Sequence, residues 1–181
     1  MEKKNSVQNK IEQAHLDSRR VYLWGAVDDK SAKHVVDRLL YLDSVSHDDI
    51  EFVINSPGGY VTAGMSIYDT MQLVKSNVNT TCSGLAASMG SILLSGGAKG
   101  SRKMQKHARV MIHQPSGGGR GTSSDIEITA REILKTREIL AQIYVENCGQ
   151  PFDKVMKDFN RDYWMDAQES LDWGIVDQIL D

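Results

Sequence analysis

Cysteine is scarce in this chain: Cys82 and Cys148 are the only two in 181 residues. They lie far apart and form no Cys-x-x-Cys pair, so free thiols are expected rather than a disulfide or a thiolate metal site. The five histidines, His15, His34, His47, His107 and His113, contain no i,i+4 ligand pair, and no structural metal is expected. Lys plus Arg number 21 against 24 for Asp plus Glu, a formal charge of −3. That balance argues against a nucleic-acid partner held by phosphate contacts. No apolar run approaches the length of a bilayer span, so no membrane partner is expected. The opening MEKKNSVQNKIEQAHLDSRR has no apolar signal core, and its acidic residues fit an organellar transit peptide poorly. The expected location is cytoplasmic. No internal repeat and no interdomain linker stand out, so residues 1–181 are expected to form one domain, with the polar residues 1–10 mobile.

What is present suits a soluble core: 40% hydrophobic and 25% charged residues. Val21 to Trp24 reads as a strand stopped by Gly25. Ala32, Val35, Val36, Leu39 and Leu40 recur at helical spacing after Asp28, Asp29 and Ser31. A strand at Ile50–Ile54 leads through Asn55-Ser56-Pro57-Gly58-Gly59 into a helix over about 61–75. A strand at Val78–Cys82 precedes a small-residue helix over about 87–94, and Arg109–His113 reads as another strand. This alternation predicts an α/β fold with a mostly parallel sheet. After the Gly-rich loop 117–121, a long helix is expected over about 124–147, capped by Ser123, Ser124 or Asp125, with Ile126, Ala130, Ile133, Leu134, Leu140, Ile143 and Tyr144 as its apolar stripe. Ile11 to Leu16 is a further short helix, and Ile175 to Leu180 closes the chain as a strand or extended segment.

Three residues attract chemical interest. Ser88, in Thr81–Gly90 (TCSGLAASMG), sits where a strand gives way to a helix, and the N–H groups that follow are free of intrahelical acceptors. A serine there is also an ordinary N-cap. His113 ends an apolar strand and can serve as a general base, or be a histidine satisfied by backbone. Asp162 lies in the polar stretch NRDYW and can orient such a base, or pair with Arg161 on the surface. The order Ser…His…Asp differs from that of α/β-hydrolases, and Ala86 replaces the first glycine of their nucleophile motif. The glycines of Ser56-Pro57-Gly58-Gly59 allow close backbone approach to a ligand, or make a plain turn.

Several stretches together carry a family resemblance: INSPGGYVTAGMSIYDTMQ (54–72), GLAASMGSILLSGGAKGSR (84–102), RVMIHQP (109–115), DIEITAREIL (125–134) and NRDYWMDAQESLDWGIVDQIL (160–180). In order and spacing they resemble the ClpP family, the proteolytic subunits of Clp proteases, over about Val21 to Asp181. The resemblance implies a crotonase/ClpP-like α/β core with a protruding strand–helix handle at about 115–149. It implies a serine endopeptidase with Ser88 as nucleophile, His113 as base and Asp162 as orienter, and the backbone N–H groups of Gly59 and Met89 as oxyanion donors. A substrate peptide would add as a strand between Gly58, Gly59, Tyr60 and Val61 on one side and Gln114, Pro115 and Ser116 on the other. Heptameric rings stacked as a tetradecamer are implied, with Asn160 and Arg161 at the ring junction. The chain itself needs no cofactor; ATP is used by a partner AAA+ unfoldase such as ClpX or ClpA.

Two departures qualify this. Ahead of the helix that corresponds to about Ile11 to Arg20, the family carries a longer segment with an apolar axial loop, whereas MEKKNSVQNK has Val7 as its one aliphatic residue. A short or absent gate is expected, which sets an ATPase-independent peptidase, or one needing a second, longer-gated ClpP paralogue, beside the unfoldase-driven enzyme. The position before Arg161, usually acidic and paired with that arginine across the junction, is Asn160. The competing readings are a catalytically silent ring subunit, a crotonase-fold enzyme acting on acyl-CoA, and a Ser-Lys peptidase. The first lacks triad residues, the second does not need all three, and the third requires a catalytic lysine and a membrane context.

Overall fold

A computed structural model describes residues 2–181, with side chains from Ser6 onward, and builds them around a mostly parallel sheet. The chain runs through α1 (Glu2–Asp17), β1 (Arg20–Trp24), α2 (Asp29–Val45), β2 (Ile50–Ser56), α3 (Val61–Leu73), β3 (Val78–Ala87) and α4 (Met89–Ser95). It continues with β4 (Lys103–Gln105), β5 (Arg109–Ile112), α5 (Ser123–Cys148), α6 (Phe152–Asp158), β6 (Tyr163–Met165), α7 (Ala167–Trp173) and β7 (Gln178–Leu180). The expected α/β fold is therefore present.

The sheet branches at β3. Its path is β1-β2-β3-β4-β7, all parallel, with β4 paired to Thr81 and Cys82. Beyond that point β5 pairs parallel with Leu85–Ala87 and in turn carries β6 antiparallel. β3 serves both neighbours because it is bulged between them: Gly84 has φ 87° and the register with β2 shifts between Ile54 and Ser56, which separates the part that pairs with β4 from the part that pairs with β5. In β2 the residues alternate strictly between buried and half-buried, which puts Ile50, Phe52 and Ile54 into the core.

Helices α2, α3 and α4 cover the sheet. Asp28 caps α2 through a reciprocal pair with Ser31. α5 divides into two halves. Leu140, Ala141, Ile143 and Tyr144 are buried in the core, whereas Ile126, Ile128, Leu134 and Ile139 are exposed on the half that stands away from the sheet.

Three expectations are corrected. The handle, expected as a strand and a helix, has no strand over residues 113–122 and consists of a loop and α5. The short helix expected over Ile11 to Leu16 begins earlier, so that residues 2–10 are the first turns of α1; Met1 lies outside the described residues. Residues 2–17 contain no glycine or proline and are rich in Lys, Glu and Gln, so nothing stops the helix before Asp17. The cap of α5 is Thr122, not Ser123, Ser124 or Asp125: its hydroxyl accepts from the Asp125 N–H while the Asp125 carboxylate accepts from the Thr122 N–H.

Candidate active site

Strand register brings the three candidate residues together. β3 and β5 run parallel with Ala87 opposite Met111, and the Ser88 N–H donates to the Met111 carbonyl at 2.9 Å. Ser88 and His113 thus leave neighbouring strands at the same end of the sheet, where α/β folds gather their sites. β5 and β6 run antiparallel with Ile112 opposite Tyr163, so one step beyond this pair His113 faces Asp162. The side chains complete what the register begins. His113 Nε2 lies 2.9 Å from Ser88 Oγ, and His113 Nδ1 lies 3.1 Å from Asp162 Oδ1. Asp162 pairs with the histidine, not with Arg161 as a surface role would have it. The His113 side chain is 27% exposed and that of Asp162 is 62% exposed, so the acid is the open end of the line and orients the ring by its hydrogen bond more than by a desolvated charge.

Ser88 occupies the N-cap position of α4 yet does not cap it. Its φ of 54° and ψ of −123° lie outside the favoured regions for a side-chain-bearing residue, and its hydroxyl makes no capping bond. Such a conformation costs about 1–3 kcal/mol and persists only where the surroundings enforce it. Here it turns Oγ away from the helix and toward His113, as in the sharp strand-to-helix turns that expose nucleophiles.

Beside the serine lies the Pro57-Gly58-Gly59 turn. Gly58 has φ 87°, and a Cβ there would come 2.6 Å from Ser88 Cβ and 2.7 Å from the Ala87 carbonyl. A Cβ on Gly59 would strike the Val27 carbonyl. Only glycines let this backbone lie against both the nucleophile turn and residue 27. The bridge between Val27 and Gly59 uses the Val27 N–H to Gly58 O and the Tyr60 N–H to Val27 O, and so does not engage the Gly59 N–H. The Met89 N–H begins α4 and has no intrahelical acceptor. Both expected oxyanion donors are thus unspent by these elements.

The flanking segments are only partly as expected for strand addition. The Tyr60 N–H is taken by Val27 and the Gln114 N–H by the Phe159 carbonyl at 2.6 Å, so these two cannot pair with an incoming peptide. Gly59 remains on one side and Ser116 on the other, while Val61 is already the first residue of α3 and offers a first-turn N–H and no strand edge. The Gln114 side chain instead donates to the Asn160 carbonyl at 2.8 Å, tying the histidine's neighbour to the segment that carries Asp162. Asn160 and Arg161 are exposed.

A small apolar pocket opens next to Ser88 and His113, lined by Val61, Met89, Ile92, Pro115, Leu140 and Tyr144. Leu140 and Tyr144 belong to the stripe on α5, whose one-turn spacing marks a common face but not which pocket it enters. Ser91, one turn into α4, bonds Tyr144 within this wall; nothing in its sequence neighbourhood singles it out. Burial pushes the Tyr144 phenol well above its ordinary range, so it remains a hydrogen-bond donor. Neither cysteine belongs to the site. Cys82 is buried and Cys148 half-buried, and burial pushes both thiols up to about 12.

This arrangement has the parts of a hydroxyl nucleophile with an aligned base. The family model for Clp protease matches residues 2–181. The chain belongs to the Clp protease family. It is 53% identical over 163 residues to the ATP-dependent Clp protease proteolytic subunit of Bacteroides fragilis, an alignment spanning 90% of this chain and 79% of that protein. Membership makes it a protease of Clp type, and the branched, mostly parallel sheet is consistent with the crotonase/ClpP-like fold. Among the described residues of this Clp protease family member, no helix is long and apolar enough to cross a membrane.

Proposed function

We propose that this chain is a serine endopeptidase of ClpP type in which Ser88 attacks the scissile carbonyl, His113 takes its proton and Asp162 orients the ring. The observation that carries the reading is the line Ser88 Oγ to His113 Nε2 to Asp162, at 2.9 and 3.1 Å, together with a serine whose backbone gives up the helix cap to make it. In the reaction, Nε2 accepts the hydroxyl proton as Oγ bonds to the carbonyl carbon, and the carbonyl oxygen becomes an oxyanion. The N–H groups of Gly59 and Met89 receive that charge. His113 then gives the proton to the leaving amine, and water repeats the cycle on the acyl-enzyme.

The peptide lies between Gly59–Val61 and Ser116, recognised first through its backbone, which accepts many sequences. Residues 115–149 form the handle of a single-domain subunit, and the exposed Ile126, Ile128, Leu134 and Ile139 meet a second copy in heptameric rings stacked as a tetradecamer. ATP is consumed by a partner AAA+ ATPase, as the name of the Bacteroides fragilis relative indicates for that protein; the chain itself uses no cofactor.

The test is hydrolysis of fluorogenic peptides by the unsubstituted protein and by Ser88→Ala, without any ATPase. Turnover of short unstructured peptides is expected with the unsubstituted protein, and none with Ser88→Ala. Turnover that survives Ser88→Ala would overturn the assignment. Degradation of a tagged folded protein, with and without an unfoldase, then separates the ATPase-driven enzyme from an independent peptidase.

A further inference from the structure

The buried pair Ser91 and Tyr144 lies behind the nucleophile turn, and its hydrogen bonds have a fixed direction. Ser91 Oγ is 2.6 Å from the Ser88 carbonyl oxygen and 2.7 Å from the Tyr144 hydroxyl. A carbonyl can only accept, and a serine hydroxyl has one proton to give. The Ser91 proton therefore goes to Ser88 O, and Tyr144 donates its own proton to Ser91 Oγ. The chain runs Tyr144 O–H to Ser91 O–H to Ser88 C=O. Ser91 and Tyr144 are 0% and 1% exposed, so water does not compete. The same carbonyl also accepts from the Ser91 and Ile92 N–H groups at 3.0 and 3.3 Å.

The Ser88 carbonyl and the Met89 N–H belong to one planar, trans peptide unit, so they point in opposite directions. Clamping the carbonyl into the body of the protein fixes the opposite direction of the Met89 N–H. Donors stacked in series also polarise the unit they end on, which strengthens its N–H as a donor. Tyr144 sits on α5, edge-on to Phe159 and Trp173, so the end of the handle helix that enters the core is joined to the nucleophile turn by this chain.

We infer that Ser91 and Tyr144 are positioning residues for the oxyanion hole, holding and polarising the Ser88–Met89 peptide so that the Met89 N–H stabilises the transition state. This rests on the peptidase reading above. It does not make either residue a reacting group. It assigns the Tyr144 hydroxyl a role distinct from that of its ring, which is a wall of the apolar pocket.

Tyr144→Phe keeps the ring and removes the last donor. It leaves Ser91 with an unfilled acceptor site only, so the fold is retained. The experiment measures kcat and KM for peptides with leucine or alanine before the cleaved bond. It also measures affinity for a peptide boronic acid, whose tetrahedral adduct needs the oxyanion hole, and for the matching product peptide, which does not. The expected result is a fall in kcat of roughly threefold to tenfold, equal for both peptides. Boronate affinity falls by the same factor, and KM and product affinity do not change. In a Ser91→Ala background, where the chain is already cut, Tyr144→Phe is expected to have no further effect on kcat. Unchanged kcat and boronate affinity would overturn the inference. So would a loss carried by KM and larger for leucine than for alanine, or an undiminished Tyr144→Phe effect in the Ser91→Ala background. Absence of turnover and boronate binding in the unsubstituted protein would instead remove the peptidase reading, and is told apart because it needs no substitution.

Discussion

At the scale of single residues, placement decides which side chains can react. Ser88 is half-buried and strained, and the strain is useful because it frees Oγ from the helix. His113 is held from both sides, by Ser88 and by Asp162. The open position of Asp162, 62% exposed, allows a specific prediction. Asp162→Asn keeps the side-chain shape but loses the carboxylate that fixes the tautomer with Nδ1 protonated. A loss of kcat by a factor on the order of 10⁴ is expected, with the melting temperature little changed. Steady-state kinetics beside a thermal melt check this; an Asp162→Asn protein as active as the parent would remove the residue from the line. Ser88 and His113 are legible in the sequence because each stands at the end of a recognisable segment, whereas Asp162 stands in a polar turn and is marked out by the family resemblance. Ser91 and Tyr144 are not legible, since their bond joins residues 53 apart in the chain and a tyrosine in an apolar stripe looks like packing.

At the scale of elements, the long periodic helices were readable and the short pieces were not. α2, α3 and α5 announce themselves by spacing. β4 and β6 have three residues each, too few to show a period, and exist because longer neighbours offer them a ladder. β6 matters most, since its antiparallel pairing brings Asp162 to His113, yet NRDYW reads as a polar turn. The N-terminal extent of α1 does not show in hydrophobic periodicity, because its first turns are polar, although their composition favours helix. Asp177 is another tertiary effect: its carboxylate accepts from the Gly100 and Arg102 N–H groups at 2.8 and 3.0 Å and from Arg102 Nε at 2.8 Å, while Arg102 also reaches the Asn147 carbonyl at 2.8 Å. It thus joins β4, β7 and the end of α5. Burial works to raise the Asp177 pKa, but the hydrogen bonds and charge of Arg102 outweigh it and leave it below the ordinary value of 3.8. A carboxylate depressed in the fold contributes stability above its unfolded pKa and loses it as pH falls through the folded one. The melting temperature should therefore hold from neutral pH down to about pH 5 as far as this group is concerned, then fall below about pH 4. Asp177→Asn should be less stable at neutral pH and lose less on acidification; a parallel decline in both proteins would contradict this.

At the scale of the whole molecule, half of α5 exposes Ile126, Ile128, Leu134 and Ile139, which a solitary subunit gains nothing by presenting. Ring stacking through this handle is part of the proposed function, and Asn160 and Arg161 supply a test of how tightly the rings hold. Asn160 brings no charge to Arg161, and Arg161 has no ion pair among the described residues. The junction is expected to loosen more readily than one carrying an acid at this position. Sedimentation velocity across a salt series, with Asn160→Asp beside the parent, should show the double ring dissociating at lower salt in the parent. Equal resistance in both would contradict it. The central claim is that Ser88 is an activated nucleophile, and the most direct measurement is fluorophosphonate labelling followed by mapping of the adduct. The account predicts a single phosphonylated residue, Ser88, in the unsubstituted protein, no adduct in Ser88→Ala, and labelling slowed by orders of magnitude in His113→Ala. An adduct on any other residue, or no adduct in a folded and assembled protein, would contradict it.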